Sequence, residues 1–373
     1  MSNPNHPLFN SILLGELELP NRIIMASMTR ARTDNLGMVP NALQEQYYAQ
    51  RASAGLILTE GTWPSRESVG FINVPGLYTQ EQADGWRRVT DAVHKAGGRI
   101  FVQLGHTGSS SHPDLLDGAP PLAPSAINPG LKAFTPSGFK DTVTPRAMDV
   151  SDIARTVEDY AKATLLAQTA GFDGVELHGI NTFLIPTFLY ENLNRRTDNY
   201  GGSAENRARI VLEIVDAMVG TWTSGRVGIK LSPALTGVGN FVADRETLAT
   251  FEYLVGQLSK RHLAYLQLMN PVNDLAGTHL EVLGQDVTKH FRALYAGSLI
   301  ANGGYTFETG NALIRNGFAD AIAFAAPFIS NPDLVERFRG NLELSLSDRD
   351  TYYGGGAAGY IDYPVAAEPL GTR

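Results

Sequence analysis

The stretch Asp173-Gly174-Val175-Glu176-Leu177-His178 is a short run with apolar Val175 and Leu177 that lies between two amphipathic segments. Runs of this kind are typical of strands that are buried on both faces of a parallel sheet. Eight of them alternate with helical segments, which favours a closed α/β barrel of the (β/α)8 or TIM type, although periodicity alone leaves a doubly wound open sheet possible. The predicted strands span residues 22–26, 55–60, 99–104, 173–178, 226–231, 264–268, 298–302 and 319–324.

The segments between these runs have the spacing of helices. Ile153, Val157 and Tyr160 fall on one helical face, and Ser151 is a candidate N-cap before them. A second helix with the same apolar spacing is predicted after Ser203. These segments supply the crossover connections that a parallel barrel needs between its strands.

The remaining segments complete the predicted organisation of one TIM-barrel domain over residues 1–373. Residues 11–20 alternate loosely and are predicted to form an N-terminal hairpin that closes the barrel bottom. Residues 108–150 follow the third strand, exceed ordinary loop length and are rich in Ser, Pro, Gly and His, which predicts a structured cap over the strand ends. Residues 183–202 extend beyond the fourth strand in the same way, and residues 345–373 form a C-terminal tail.

The composition limits both the chemistry and the partners. The 373 residues include no cysteine, which excludes disulfides, thiolate metal sites and a cysteine nucleophile. A net charge of −8 and the lack of a long basic run favour a small-molecule partner over nucleic acid or a membrane. Residues 1–9 lack the pattern of a secretory signal, so a cytoplasmic location is expected. The sequence leaves open whether the protein is a monomer or a homodimer. No third ligand at metal spacing accompanies His106 and His112, so no metal site is predicted.

The most specific motif follows the fourth predicted strand. It reads Arg196-Thr197-Asp198-Asn199-Tyr200-Gly201-Gly202-Ser203 and continues with Glu205-Asn206-Arg207-Ala208-Arg209. Other ordered motifs are Asn21-Arg22-Ile23-Ile24-Met25, Thr29-Arg30, Leu231-Ser232-Pro233, Asn302-Gly303-Gly304-Tyr305, Phe328-Ile329-Ser330-Asn331-Pro332-Asp333-Leu334 and Gly359-Tyr360-Ile361-Asp362-Tyr363-Pro364. Taken together, these motifs closely resemble those of the Old Yellow Enzyme family across nearly the whole chain.

The resemblance implies a single TIM barrel that binds FMN at its mouth and is reduced by NADPH or NADH. It also implies hydride transfer to the β-carbon of an activated alkene such as an enone or enal. Hydrogen bonds to the substrate oxygen would stabilise the charge that grows in this step. The residues that match the family's catalytic groups are His178 and Asn181, which hold the substrate oxygen, and Tyr353, an aromatic residue near the substrate. Those that match its FMN contacts are Thr29, Gln103, Lys230, Gly303 and Gly304.

The departures from the family pattern fall on the chemistry. Phe183 occupies the position of the proton-donating tyrosine, so ordinary reduction needs another donor, such as water or Tyr353, or does not occur. Gly105 stands in the substrate pocket where a tryptophan is frequent. Ala325-Ala326-Pro327 lacks the arginine that clamps the FMN phosphate, and Lys230 replaces an arginine at the flavin edge.

These departures keep three functions open. The first is an FMN-dependent ene-reductase or isomerase. The second is a flavin-free descendant that catalyses a non-redox cyclisation, isomerisation or cycloaddition in a biosynthetic pathway, with His178 and Asn181 polarising a carbonyl. The third is a binding protein that keeps the barrel only as a scaffold.

Overall fold

The computed structural model describes residues 5–366, and its centre is a closed barrel of eight parallel strands. The strands of the chain are β1 (Ile12–Leu14), β2 (Leu17–Leu19), β3 (Ile23–Met25), β4 (Leu56–Thr62), β5 (Ile100–Leu104), β6 (Leu122–Ala123), β7 (Lys132–Thr135), β8 (Gly138–Asp141), β9 (Arg146–Ala147), β10 (Gly174–Gly179), β11 (Val227–Leu231), β12 (Tyr265–Met269), β13 (Leu299–Asn302) and β14 (Ala321–Phe324). Around the barrel they pair in the order β10-β11-β12-β13-β14-β3-β4-β5, closing back onto β10. All eight predicted barrel strands are confirmed, with ends shifted by one or two residues.

Helices follow the barrel strands and cover their outer faces. They are α1 (Ala42–Ala49), α2 (Gln80–Lys95), α3 (Val150–Thr169), α4 (Leu184–Leu189), α5 (Ala204–Thr221), α6 (Arg245–Ser259), α7 (Val287–Phe291), α8 (Phe307–Arg315), α9 (Ala326–Ser330) and α10 (Leu334–Gly340). None of the helices in residues 5–366 has both the length and the apolar character that crossing a membrane requires.

The start of α3 differs from the sequence prediction. Asp149, rather than Ser151, is the N-cap, because its carboxylate accepts the backbone N–H of Asp152 at 2.8 Å. The Asp152 carboxylate reciprocates by accepting the backbone N–H of Asp149 at 2.9 Å, which completes a capping box. Ser151 lies inside the helix and donates its hydroxyl to Asp149. The predicted start after Ser203 is confirmed, since its hydroxyl accepts the backbone N–H of Asn206.

The N-terminal hairpin and the cap cover opposite ends of the barrel. Strands β1 and β2 pair antiparallel, and Leu14, Leu17 and Leu19 pack under the barrel against residues such as Tyr265. At the other end, residues 108–150 form a structured cap that contains the antiparallel hairpin β7–β8 and the pair β6–β9. The predicted hairpin and cap are therefore both present. Residues 367–373 of the predicted tail lie outside the described part of the chain.

Candidate active site

A cavity of about 750 Å³ opens at the carboxyl ends of the barrel strands, the end at which TIM barrels carry their active sites. Its lining comes from the barrel strands or the loops after them, from the cap hairpin and from the C-terminal tail. The predicted site residues that line it are Thr29, Gln103, His178, Asn181, Phe183 and Tyr353. Ser27 lines it as well, as do Ala325 and Ala326, where the sequence departs from the family pattern.

His178 lies in β10, where the register places it opposite Lys230 of β11. Its side chain is buried, and its imidazole stacks on the Phe183 ring with a centroid distance of 4.4 Å and an angle of 25° between the planes. Nδ1 has no hydrogen-bond partner among the described residues. Burial, assisted by the positive charge of Lys230, lowers the pKa of His178 to about 3. At neutral pH the imidazole is therefore uncharged and carries a single N–H donor.

Asn181 lies in the turn between β10 and α4 and lines the cavity together with His178. Its φ angle of +58° lies in the left-handed region, which asparagine tolerates better than most residues. This turn allows the chain to reverse into α4 while the Asn181 side chain lines the cavity. The structure thus brings His178 and Asn181 together, as the motif predicts.

Gly105 lies beside His178 rather than among the described residues that line the cavity. A Cβ at this position would lie 3.2 Å from the Cβ and 3.3 Å from the Cγ of His178. Such distances are tighter than ordinary van der Waals contact. The glycine therefore leaves room for the imidazole in its stacked position.

Five polar side chains form a connected layer inside the barrel, which we call the polar layer. The residues are Ser27, Gln103, Glu176, Lys230 and Gln267. The Ser27 hydroxyl donates to Gln103 Oε1 at 2.6 Å, and Gln103 Nε2 donates to Glu176 Oε1 at 2.6 Å. With its amide oriented to satisfy both neighbours, Gln267 donates to Glu176 Oε2 and accepts from Lys230 Nζ, each at 3.1 Å. Lys230, a predicted cofactor residue, thus lies behind the cavity lining and is joined to it through this layer.

Aromatic rings form one side of the cavity, which we call the aromatic wall. Trp63, Phe71 and Phe183 form a triangle with centroid distances of 6.1 to 6.3 Å. The cap hairpin adds Phe134 and Phe139, whose rings lie 4.8 Å apart. The wall continues into the tail at Tyr352 and Tyr353. A flat apolar molecule therefore finds aromatic surface along this side.

Two buried arginines fix the tail that carries Tyr353. Arg30 donates to the carbonyl oxygens of Tyr352 at 3.0 Å and Gly359 at 2.8 Å. Arg32 donates to the carbonyl oxygen of Thr351 at 2.7 Å. Because carbonyl groups of the tail face these guanidinium groups, the tail is held against the barrel and Tyr353 at the cavity mouth.

Gly303 and Gly304 follow β13 and lie outside the described cavity lining. Their φ angles of +104° and +79° suit glycine. A Cβ at Gly304 would meet nothing within 4 Å, so the backbone there is open to an approaching group. The neighbouring segment at Ala325 and Ala326 lines the cavity but brings no charge.

Sequence reasoning missed Glu176, Gln267 and the ring pair of Phe134 and Phe139. A polar residue within an otherwise apolar barrel strand is the signal that points to Glu176 and Gln267. The cap phenylalanines carry no comparable signal, because their positions depend on how the cap folds back over the barrel.

The fold and this site define a barrel enzyme that binds a small molecule at its mouth. Residues 7–345 match the family described as NADH:flavin oxidoreductase / NADH oxidase. The chain is 41% identical to flavin oxidoreductase hxnT of Emericella nidulans, over 98% of this chain and 99% of that protein. It is 38% identical to 12-oxophytodienoate reductase 7 of Oryza sativa subsp. japonica, over 97% and 95% of the two chains. A structure of morphinone reductase in complex with tetrahydroNAD superposes with a TM-score of 0.90 at 44% identity, over 97% of this chain and 98% of that one.

The chain therefore belongs to the NADH:flavin oxidoreductase / NADH oxidase family, and its predicted Old Yellow Enzyme membership is confirmed. The predictions of a TIM barrel and of an oxidoreductase are confirmed with it. So is FMN as the cofactor, with a nicotinamide nucleotide as the reductant. The roles of the individual residues remain predictions.

The residues of the cavity fit a flavin ring. Thr29 and Gln103 line the space at the barrel mouth, and the Lys230 side chain lies behind them in the polar layer. These groups complement the carbonyl and N–H groups along the edge of a flavin. No lysine or arginine belongs to the described lining, so at the phosphate end this lining offers an FMN phosphate no cationic side chain.

Proposed function

We propose that this protein reduces the activated C=C bond of an enone or enal, using FMN and a nicotinamide nucleotide. The observation that carries the proposal is the joint placement of His178 and Asn181 on one rim of the cavity, above the polar layer. Similarity to a 12-oxophytodienoate reductase and to morphinone reductase supports the same class of substrate.

In this proposal His178 and Asn181 bind the carbonyl oxygen of the substrate. The neutral imidazole and the side-chain amide each donate a hydrogen bond to this oxygen. Because negative charge accumulates on the oxygen when the β-carbon accepts hydride, both bonds strengthen toward the transition state. The residues that hold the cofactor are Thr29, Gln103 and Lys230, with Gly303 and Gly304 at its phosphate. When bound, FMN supplies the hydride.

The α-carbon needs a proton that Phe183 cannot give. The Tyr353 hydroxyl, on a side chain at the cavity mouth, or a water molecule entering there, takes that role. Delivery from a mobile donor is slower than delivery from a hydroxyl fixed beside the reacting carbon. We therefore expect slow net reduction, with double-bond isomerisation as the competing outcome.

The test begins with the visible spectrum of the purified protein after addition of FMN. Bound flavin that NADH or NADPH reduces, and that 2-cyclohexenone then reoxidises without oxygen, supports the proposal. Protein that takes up no FMN contradicts it and favours the flavin-free alternative, which the uncharged segment at Ala325 and Ala326 motivates. Turnover of an enone to a cyclised or isomerised product without FMN would establish that alternative.

A further inference from the structure

The polar layer is unusual because the inner layers of a TIM barrel are mostly filled by branched apolar side chains. Its three central members are completely or almost completely buried: Glu176 and Gln267 are 0% exposed and Gln103 is 1% exposed. The sheet register explains why they meet, since Gln103 of β5 lies directly opposite Glu176 of β10. Lys230 of β11 likewise lies opposite Gln267 of β12.

The direction of each hydrogen bond in the layer follows from one carboxylate. Burial raises the pKa of Glu176, and the charge of Lys230 and the hydrogen bond from Gln103 oppose this shift. When the Glu176–Lys230 pair is ionised, the carboxylate can only accept, so each glutamine turns its NH2 group toward Glu176. The amide oxygen of Gln103 then faces the Ser27 hydroxyl, and the amide oxygen of Gln267 faces the Lys230 ammonium group. Two arms of hydrogen bonds converge on Glu176, one from Ser27 and one from Lys230.

We propose that Glu176 is a positioning residue that sets the amide orientation of Gln103 and so determines which hydrogen bonds the polar layer offers to the cofactor. The inference rests on the proposed function, because it assumes that FMN occupies the cavity. Of Gln103, Glu176 and Gln267, only Gln103 belongs to the described lining of that cavity. With one N–H of Gln103 bonded to Glu176, its second N–H is left for the cavity. With the Ser27 hydrogen directed to Gln103, the Ser27 oxygen faces the cavity as an acceptor.

Glu176→Gln tests this role because glutamine has nearly the same shape but can donate as well as accept. The two arms then no longer have a single acceptor to converge on, and Gln103 loses its fixed orientation. In apo-protein labelled with 15N-glutamine, we expect the Gln103 side-chain amide to exchange with solvent about tenfold faster. FMN affinity, measured by quenching of flavin fluorescence, should fall by about tenfold.

A double-mutant cycle separates positioning from a general loss of structure. If Glu176 acts through Gln103, then Glu176→Gln should change FMN affinity by less than about twofold in a Gln103→Leu background. Additive losses in the double variant would overturn the proposal. Glu60→Gln is the matched control, because Glu60 is an equally buried glutamate whose carboxylate accepts the backbone N–H of Arg30 and is not a member of the polar layer. It should leave Gln103 exchange and FMN affinity unchanged.

Two further outcomes are distinguishable. Should Glu176→Gln fail to fold because Lys230 loses its counter-charge, Glu176→Gln with Lys230→Gln removes both charges, and the same faster exchange of Gln103 is expected. Unchanged exchange in the folded variant refutes the inference. Wild-type protein that binds no FMN refutes the proposed function instead, while the exchange measurement on apo-protein still decides the orientation of Gln103.

Discussion

The polar layer and the aromatic wall are neighbours, yet they are built in different ways. The polar layer sits mainly on adjacent barrel strands, where backbone register fixes which side chains meet, and every residue of the layer is hydrogen-bonded to another of its members. The aromatic wall comes from loops, the cap and the tail, and its outermost ring, Phe139, is 71% exposed. The comparison teaches that strand register holds the polar layer in place, whereas the shape of the aromatic wall depends on how the loops, the cap and the tail pack.

The largest expected effect comes from the strand-borne side of the cavity. His178→Ala removes one of two donors to the substrate oxygen and should lower kcat/KM for an enone by about 100- to 1,000-fold. FMN affinity should stay within about twofold of wild type, since His178 is assigned to the substrate and not to the cofactor. A steady-state assay together with flavin fluorescence measures both quantities. If FMN affinity fell as much as kcat/KM, the assignment of His178 to the substrate rather than to the cofactor would be wrong.

The next largest effect is expected on the stability of the protein, at Glu60. This residue accepts the backbone N–H of Arg30, whose side chain donates to the tail. Burial raises its pKa to about 7, against the opposing effect of the backbone N–H groups of Arg30 and Ala31 and the charges of Arg30 and Arg32. The folded protein therefore binds a proton that the unfolded chain releases near pH 4.5, and the free energy of unfolding falls as pH rises between these values. Relative to Glu60→Gln, which cannot ionise, wild type should lose on the order of 3 kcal/mol over this window.

Denaturant titrations of both proteins from pH 4.5 to pH 8 check this expectation, because other titrating groups cancel in the difference. A difference that does not change with pH would show that Glu60 is not protonated in the folded state. If the free energy of unfolding of wild type instead rises with pH relative to that of Glu60→Gln, the arginines lower the pKa of Glu60 by more than burial raises it.

Phe183→Tyr sharpens the comparison within the aromatic wall. It places a hydroxyl in the ring that stacks on His178, so the α-carbon gains a fixed proton donor. We expect the reduced enzyme to be reoxidised by 2-cyclohexenone about 10- to 100-fold faster in stopped-flow experiments. Phe183→Leu is the control without a hydroxyl and should show no gain; a gain there would mean that ring packing, rather than proton delivery, limits the rate.

The smallest effect is expected at the rim. Phe139→Ala removes an exposed ring that contributes little buried area, so KM for a bulky aromatic enone should rise about threefold with kcat unchanged. Phe139→Leu should recover most of the loss. A change of tenfold or more in kcat would indicate that the cap hairpin orders the reacting groups, and the contrast between strand-borne and loop-borne residues would fail.

The sequence predicts these regions unequally, for physical reasons. The eight barrel strands are readable because burial on both faces demands continuous apolar runs, and His178 and Asn181 are readable because they stand at the end of one. The convergence of two glutamines on Glu176 depends on strand register, which periodicity does not specify. The cap is predictable as a segment, but the placement of Phe134 and Phe139 depends on long-range packing.

Local chemistry also explains why the N-cap of α3 was predicted wrongly. Ser151 and Asp149 are both good N-cap residues, but only Asp149 has an acidic residue three positions later that completes a capping box. Similarly, the family resemblance predicts Lys230 as a cofactor residue, while its position behind the cavity lining follows from the polar layer.

The hold of Arg30 and Arg32 on the tail has a consequence for folding kinetics. These hydrogen bonds join residues separated by 319 to 329 positions along the chain. Contacts this distant in sequence close large loops and form after local contacts in most folding reactions. The pairing of β14 with β3, which closes the barrel, joins residues 299 positions apart. Barrel closure and the docking of the tail that carries Tyr353 therefore both require the two ends of the chain to meet.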